Sequence, residues 1–363
     1  MLAAFGCAHP KASAPSRGLV HMEELRITAA AQPDGSYRFR AYNAENLFKQ
    51  GLYWDDRKRY DEAIAWYDRV VAEFGSSRFA SPALYNSALC AQRLGQREQA
   101  LERFQRLLET MPNSPDLRHA HFRIVELSAE LGRWQVAREH ADVLLSREDL
   151  SPEERLEALG QGAHASLQLD QVSEAAAQAA DALQYYRLRS ARGEIANTYF
   201  AAQANFTLAE THRLRSERIA LRGGSIDEQR PLLEERSQWL LRAQREYFNT
   251  IRWNHAPWSS PSGYRIGQLY AHFFDAIVES TPPPPRDSAA QRHPEEYAKH
   301  YRIEVARLVR PLLRHSIRFW ELALMMVERI DSRSSWVERI RLDLDRVRAR
   351  LAQELSLDGE RES

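Results

Sequence analysis

The chain has few cysteines for its 363 residues. They are Cys7 and Cys90, and two cysteines cannot build the disulfide framework of a small secreted domain. Stability must therefore come from packing. Cys90 falls in the apolar helical stretch 83–94 and is predicted to be a buried structural thiol.

An excess of charge of one sign is also missing. The 50 basic and 50 acidic side chains give a formal net charge of zero. Without a positive excess the chain has no electrostatic attraction for a phosphate backbone or an anionic bilayer, so nucleic acid is not an expected partner. The apolar run from Leu322 to Val327 is far shorter than the ~20 residues needed to span a bilayer.

Sequence motifs of catalysis are missing as well. The sequence contains no Gly-x-x-x-x-Gly-Lys phosphate loop, no Gly-x-Gly-x-x-Gly, no His-Glu-x-x-His and no Gly-x-Ser-x-Gly. His119 and His121 are two residues apart, which places them on different faces of a helix and makes them poor joint metal ligands. We therefore predict no catalytic residue, no metal site and no cofactor, and a protein that is not an enzyme.

Glycine and proline are sparse, at 15 and 16 residues, while alanine, leucine, arginine and glutamate dominate. That composition is typical of long helices. Residues 24–40 are the exception, since alternating branched and aromatic residues flank a Pro33-Asp34-Gly35 turn. This pattern predicts a short β-hairpin that must lean on the helices after it.

A 37-residue period runs through the helical region. Ala63, Ala100 and Ala137 are spaced by 37 residues, the Leu-Gly pairs ending at Gly95 and Gly132 show the same spacing, and Ala175 follows at 38. Self-similarity at this period predicts stacked helix-turn-helix units. The alanines let paired helices approach closely, and the glycines supply a left-handed helix end. The Ser-Pro pairs predict four helix starts, at Ser81, Ser114, Ser151 and Ser260, the third with a Glu154 capping box.

These residues resemble the tetratricopeptide repeat. The second repeat carries the pattern as Ala88, Ala100, Phe104 and Pro112; the first as Gly51, Ala63 and Tyr67; the third as Gly132, Ala137 and Leu144; and the fourth, more loosely, as Ala163, Ala175 and Ala179. The stretched repeats are similar to those of envelope lipoproteins of Gram-negative bacteria that assemble outer-membrane proteins or coordinate cell division. The Tyr264-Arg265-Ile266-Gly267 motif and the final helices also resemble myxobacterial gliding-motility proteins.

The expected fold class is all-α, a tetratricopeptide-like α-solenoid with a short N-terminal β-hairpin and an irregular helical C-terminal part. The expected segments are a signal remnant or lipid tether at 1–20, the hairpin at 21–41, repeats at 42–183, degenerate repeat-like helices at 184–280, a proline-rich loop at 281–294, C-terminal helices at 295–356 and a disordered tail at 357–363. Helices are expected at 194–222 and 231–253, broken at Gly223-Gly224, and at about 295–330 and 334–354, the first of these kinked at Pro311.

The resemblance implies a binding groove, because the first helices of such repeats line a concave surface. Carried over by spacing, the predicted groove consists of Phe48, Leu52, Asp56, Tyr85, Leu89, Gln92, Arg93, His119, Phe122 and Glu126, with Glu45 and Glu130 beside them. Phe48, Tyr85 and Phe122 would form an aromatic ladder suited to a peptide segment. The alternative is that these rings pack against neighbouring elements. Phe48 and Leu52 stand where a carboxylate clamp needs lysine and asparagine, which disfavours such a clamp.

The residues around Cys7 indicate a cellular location for the protein. The residues Leu2-Ala3-Ala4-Phe5-Gly6 before it resemble the end of a bacterial lipoprotein signal, and a polar tether follows to Ser16. Because six residues are too few for a working signal, we expect the true start to lie upstream. The expected function is a scaffold that binds peptide segments of envelope proteins at the outer membrane, facing the periplasm, with lipid on Cys7 as its membrane attachment. The alternative is a soluble cytoplasmic adaptor whose Cys7 is accidental.

Two further groups are interpreted as core. The aromatic cluster comprises Trp253, Trp258, Tyr264, Tyr270, Phe273 and Phe274, at spacings that suit packing between helices. Met325-Met326 is interpreted in the same way.

Overall fold

The computed structural model describes residues 24–221, 225–285, 291–330 and 334–362. The expectations for Cys7 and for the Gly223-Gly224 break fall outside these residues. The chain divides into two compact units, an N-terminal unit ending at Asp116 and a C-terminal unit beginning at Leu117. None of the described helices combines the length and the apolar character needed to cross a membrane.

The N-terminal unit begins with the predicted hairpin. Strand β1 (Leu25–Ala31) pairs antiparallel with β2 (Tyr37–Asn43), so that Leu25 faces Asn43 and Ala31 faces Tyr37. The turn closes with Gly35 at a φ of +79°, a left-handed conformation that glycine adopts without strain. Strand alternation places the apolar side chains on one face, and that face is open to solvent, with Leu25, Ile27, Tyr37 and Phe39 each more than half exposed.

Four helices complete the N-terminal unit. They are α1 (Ala44–Asp56), α2 (Tyr60–Glu73), α3 (Ala80–Arg93) and α4 (Arg97–Thr110), and each packs against the next. Ala63 and Ala100 are fully buried, as are Tyr67 and Phe104 one turn later on the same faces. The predicted alanines are therefore the close-contact points of each helix pair. Between α3 and α4 the chain turns through Gly95 at a φ of +76°.

The described part of the C-terminal unit also consists of helices, most of them longer than those of the N-terminal unit. They are α5 (Leu117–Glu130), α6 (Trp134–Leu145), α7 (Pro152–Gln168), α8 (Val172–Ser190), α9 (Tyr199–Arg218), α10 (Ile226–Arg252), α11 (Ala256–Val278), α12 (Pro294–Val309), α13 (Pro311–Ile330) and α14 (Ser335–Glu362). Helices α5 to α11 pack in sequence order, α11 also packs against α13, and α13 packs against α14. Ala137 and Ala175 are buried in their helix pairs, which extends the repeat into this unit. The predicted fold class is confirmed.

Several helix boundaries differ from the sequence predictions. The Ser151 capping box is confirmed. Ser81, however, does not cap α3, because that helix already begins at Ala80; the Ser81 hydroxyl donates to Asp116 Oδ2 at 2.7 Å. Ser114 does not begin a helix either, since α5 starts three residues later at Leu117.

Ser260-Pro261 is also not a helix start. It lies inside α11, which begins at Ala256 with Pro257 in its first turn.

The later helices differ as well. Helix α10 starts at Ile226, five residues before the predicted start at 231, because Ser225 and Glu228 form a capping box upstream of Pro231.

The predicted kink at Pro311 is a break between two helices. Helix α12 ends at Val309, and Pro311 is the first residue of α13. Helix α9 begins at Tyr199, whose backbone N–H donates to the Asn197 side chain at 2.9 Å.

The interpretation of Met325 as core is wrong, since 57% of it is exposed. The buried face of α13 carries Ala323 and Val327, and Met325 lies two residues from each, on the opposite side of the helix. Met326 is partly buried and packs against this core, as expected. Tyr264 and Phe274 of the predicted aromatic cluster are buried, and Trp253, Trp258, Tyr270 and Phe273 pack partly buried against neighbouring helices.

Candidate functional site

Helix α1 carries the first members of the predicted groove. Leu47 and Gly51 face the core, while Leu52 is 38% exposed and Asp56 is exposed. Phe48 is half-buried, with its ring centroid 5.6 Å from that of Tyr67 and 5.4 Å from that of Phe79. In the α1 part of the predicted groove, the partly exposed ring of Phe48 therefore packs on the buried ring of Tyr67 and on the partly buried ring of Phe79.

Helix α3 repeats this arrangement. Tyr85 is half-buried, and its ring meets that of Phe104 edge-on at 5.3 Å between centroids. Leu89 and Gln92 are also half-buried, whereas Arg93 is exposed. Two rings, one on α1 and one on α3, are thus fixed from below by the second helix of their own repeat.

Arg93 forms the charged edge of this surface. Its guanidinium pairs with Asp55 and lies 5.5 Å from the ring centroid of Tyr60. Asp56, the predicted groove carboxylate, is exposed beside this pair. Sequence spacing missed Asp55 as the partner of Arg93, although the two residues are 38 apart, close to the repeat length.

The α5 members of the predicted groove belong to the C-terminal unit. His119 is exposed, and Glu126 is half-buried with Arg123 Nη1 at 2.8 Å from its Oε2. Phe122 is half-buried and packs against the core formed by α5, α6 and α7. Each of the three ladder rings thus has one side on its own helix pair, as the packing alternative expects, and still keeps part of its surface in water. Their role in binding stays a prediction.

An unusual carboxyl group lies on α7 in the same unit. Burial raises the pKa of Glu157 to about 7, and the negative charge of Glu126 acts in the same direction. Gln161 Nε2 donates to Glu157 Oε1 at 3.1 Å. Sequence analysis missed this group, because a glutamate on an amphipathic helix gives no sign of its burial.

The histidines in the part of the chain that the structure describes do not assemble a metal site. His121 Nδ1 lies 2.7 Å from His140 Nδ1, so one neutral ring donates to the other. Burial lowers the pKa of both, that of His121 to about 4, and the neighbouring His140 contributes to the shift of His121. His119 is exposed on another face of α5, as its spacing predicts. Over the described ranges, no group of three or more His, Cys, Asp or Glu side chains could hold a metal ion.

Comparison with known proteins identifies one repeat directly. Residues 82–114, which form α3 and α4 and the turns around them, match the model of the tetratricopeptide repeat family. The resemblance of these residues to the tetratricopeptide repeat is confirmed by this match, which falls on the repeat with the fullest pattern. No significant match is found among curated proteins.

Solved structures with similar folds are also repeat proteins. A tetratricopeptide repeat protein from Parabacteroides merdae covers 84% of this chain and 98% of its own at 14% identity, with a TM-score of 0.40. MamA from Desulfovibrio magneticus RS-1 covers 56% and 95% at 12% identity, with a TM-score of 0.37. YrrB, described as a TPR protein with an unusual peptide-binding site, covers 54% and 86% at 13% identity, with a TM-score of 0.38. Likenesses this distant carry no function over to this chain.

The helical-repeat structure and the match at residues 82–114 indicate the functional class of proteins built from tetratricopeptide repeats. Repeats of this kind typically serve as non-enzymatic protein-interaction scaffolds, because stacked helix pairs present extended surfaces.

Proposed function

We propose that the chain is a scaffold that binds peptide segments of partner proteins along the part of the predicted groove that α1 and α3 form in the N-terminal unit. The observation that carries this proposal is the two-sided pattern of α1 and α3. One side of each helix is buried in the repeat core, and the other presents partly exposed apolar and aromatic side chains next to Asp56 and Arg93.

The support beneath the rings favours such a role. Phe48 lies on Tyr67, and Tyr85 lies on Phe104, both of which are fully buried. A ring held in place loses little conformational entropy when a ligand covers it, which is why aromatic residues dominate binding energy at interfaces. The mixed charges of Asp56 and Arg93 would orient the bound segment.

A binding measurement tests the proposed groove. Peptides selected by phage display against the whole chain should lose affinity by about tenfold or more when Tyr85→Ala removes one anchor, as measured by fluorescence anisotropy. Leu52→Glu should have a similar effect, because it places a charge against the apolar part of the peptide.

The matched control is Tyr53→Ala. Tyr53 is 45% exposed on α1 but is not part of the predicted groove, so its loss should change affinity by less than about twofold. Equal losses for Tyr53→Ala and Tyr85→Ala, or no loss for Tyr85→Ala, would refute the groove assignment. Circular dichroism of each variant establishes that the helices remain folded.

We propose further that the partners are envelope proteins and that lipid on Cys7 tethers the chain to the outer membrane. The support is the sequence Leu2-Ala3-Ala4-Phe5-Gly6 before Cys7 and the polar tether after it. Mass spectrometry of the mature N-terminus should find a diacylglycerol-modified Cys7, and Cys7→Ala should move the protein to the soluble fraction. An unmodified Cys7 in a chain expressed from an upstream start would favour the cytoplasmic adaptor.

A further inference from the structure

One face of the hairpin in the N-terminal unit is apolar and exposed to solvent. Residues that pair directly across two antiparallel strands point to the same side of the sheet. The register therefore places six apolar residues together, which are Leu25, Ile27 and Ala29 of β1 and Tyr37, Phe39 and Ala41 of β2. We call this surface the apolar hairpin face. Although 28% of the residues in the chain are charged, no charged residue of either strand points to this side.

The opposite face of the hairpin packs against the first helix pair. The Tyr42 hydroxyl donates to Glu73 Oε2 at 2.8 Å, and the Tyr42 ring meets the Phe74 ring edge-on, with 6.1 Å between the centroids. The Arg26 guanidinium lies 5.2 Å from the same Phe74 centroid. These contacts hold the hairpin on the end of α2, so the apolar hairpin face is directed away from the helices of its own unit.

The exposed area of the apolar hairpin face is large enough for a protein interface. Leu25, Ile27, Tyr37 and Phe39 are 57%, 65%, 65% and 69% exposed. Since one aromatic side chain can bury about 150–250 Å², these four side chains together leave on the order of 500 Å² of apolar surface in water. Two such faces would bury about 1,000 Å² in all, the area at which specific interfaces begin.

The register also makes this face complementary to itself. Each row of paired residues combines one large and one small side chain, since Ile27 lies opposite Ala41, Phe39 opposite Ala29, and Tyr37 opposite Ala31. A two-fold axis parallel to the strands would lay β1 of one copy over β2 of the other, so that the large residue of each row meets the small residue of the same row. Sheets packed face to face lie about 10 Å apart, a spacing at which such side chains interdigitate. The lack of charge also removes the like-charge repulsion that a symmetric contact would otherwise bring.

We propose that two copies of the chain associate through their apolar hairpin faces, about a two-fold axis parallel to the strands. The four strands then form a two-layer sandwich, in which Phe39 of each copy packs over Ala29 of the other. The part of the chain before the hairpin is a poorer occupant of this face, because residues 8–18 include no large apolar side chain. Dimerisation does not require the predicted groove, although a dimer would offer two such grooves to one partner.

Sedimentation equilibrium of the whole chain tests this proposal. The chain should behave as a dimer, and Phe39→Glu should raise the dissociation constant by about tenfold or more, because it puts a carboxylate of each copy into the apolar layer. Phe39 is 69% exposed in the single chain, so the variant should keep its helices, which circular dichroism verifies. A parent chain that remains monomeric at about 100 μM would overturn the proposal.

Arg38→Glu is the matched control. Arg38 is the exposed neighbour of Phe39 on β2, but it lies on the opposite face of the hairpin. Its reversal should change the dissociation constant by less than about threefold, and equal weakening by both variants would mean that the copies meet elsewhere. Tyr85→Ala should leave the dimer unchanged, which separates this contact from peptide binding in the predicted groove.

A size exchange within one row tests the packing itself. Ala29→Phe should weaken the dimer by about tenfold or more, because it opposes two large rings where one large and one small side chain fit. The double variant Ala29→Phe/Phe39→Ala should return the dissociation constant to within about threefold of the parent value, since each row again has one large and one small residue. Nonspecific hydrophobic association predicts instead that Ala29→Phe forms the tightest dimer, and that result would overturn the proposed arrangement.

Two further measurements address other occupants of the apolar hairpin face. The parent chain should not sediment with phosphatidylcholine vesicles, and deletion of residues 1–23 should leave the dimer unchanged. A monomeric chain that binds the vesicles would assign the face to a membrane. A chain that dimerises only after the deletion would assign it to the residues before the hairpin. Either result would overturn the proposal.

Discussion

Gly267→Ala should destabilise the C-terminal unit by about 3 kcal/mol. Gly267 lies inside α11, and a Cβ there would stand 2.5 Å from Nε1 and Cδ1 of the Trp320 indole. The indole has little freedom to move, because Trp320 is 2% exposed and its Nε1 donates to the Tyr264 carbonyl oxygen at 2.9 Å. Urea denaturation should show a lower midpoint, and hydrogen exchange should locate the weakening in α11 and α13.

Gly162→Ala is the matched control. Gly162 is also buried inside a helix, α7, but a Cβ there would meet the Ala141 Cβ at 3.5 Å, an ordinary contact distance. Because alanine is the better helix former by up to about 1 kcal/mol, this variant should be neutral or slightly stabilising. Equal destabilisation in both variants would show that glycine replacement itself, and not the approach of Trp320, is responsible.

The repeat was predictable from sequence because its signal is periodic. Ala63 and Ala100 mark close helix contacts wherever the period places them, and both are fully buried. The hairpin turn at Gly35 was predictable for a similar reason, since a Pro-Asp-Gly segment between two alternating strands favours a tight turn with a left-handed glycine. In both cases neighbouring residues along the chain decide the structure.

The sequence predictions were wrong or incomplete where residues far apart in the chain determine the structure. Ser260 is followed by proline, as a helix start would be, yet α11 had already begun at Ala256 and places Ser260 in its interior. Within the candidate site, the period correctly puts Phe48 and Tyr85 on first helices, but it could not show that Phe79 covers part of Phe48.

A buried charge network in the C-terminal unit was equally invisible to periodicity. Glu210 of α9 has a side chain only 7% exposed, with Arg213 Nη2 at 2.7 Å and Arg265 Nε at 3.1 Å from its carboxylate oxygens. The Tyr247 hydroxyl of α10 also donates to it. Burial acts to raise the pKa of Glu210, but the two arginines outweigh that effect and hold the pKa below its ordinary value of 4.5. The carboxylate therefore joins α9, α10 and α11.

Glu210→Ala should destabilise the C-terminal unit by about 3 kcal/mol at pH 7, because it removes the carboxylate from Arg265 and from the buried Tyr247 hydroxyl, while Arg213 keeps Glu217 as a partner at 2.6 Å. Glu234→Ala is the control, since Glu234 is exposed on α10 and should change stability by less than about 0.5 kcal/mol. Urea denaturation of the three proteins measures both. If the two variants have equal stability, the network contributes no net stabilisation.

The same network should make stability depend on pH. A carboxyl group whose pKa is lowered by folding stabilises the native state above its unfolded pKa, and the contribution is lost as the pH falls through its folded pKa. The stability difference between the parent chain and Glu210→Gln should therefore be largest near pH 7 and shrink below about pH 4.5, where the unfolded carboxyl group is protonated. A difference that stays constant from pH 7 to pH 3 would mean that Glu210 acts through its shape and hydrogen bonds, and that its charge contributes nothing to holding α9, α10 and α11 together.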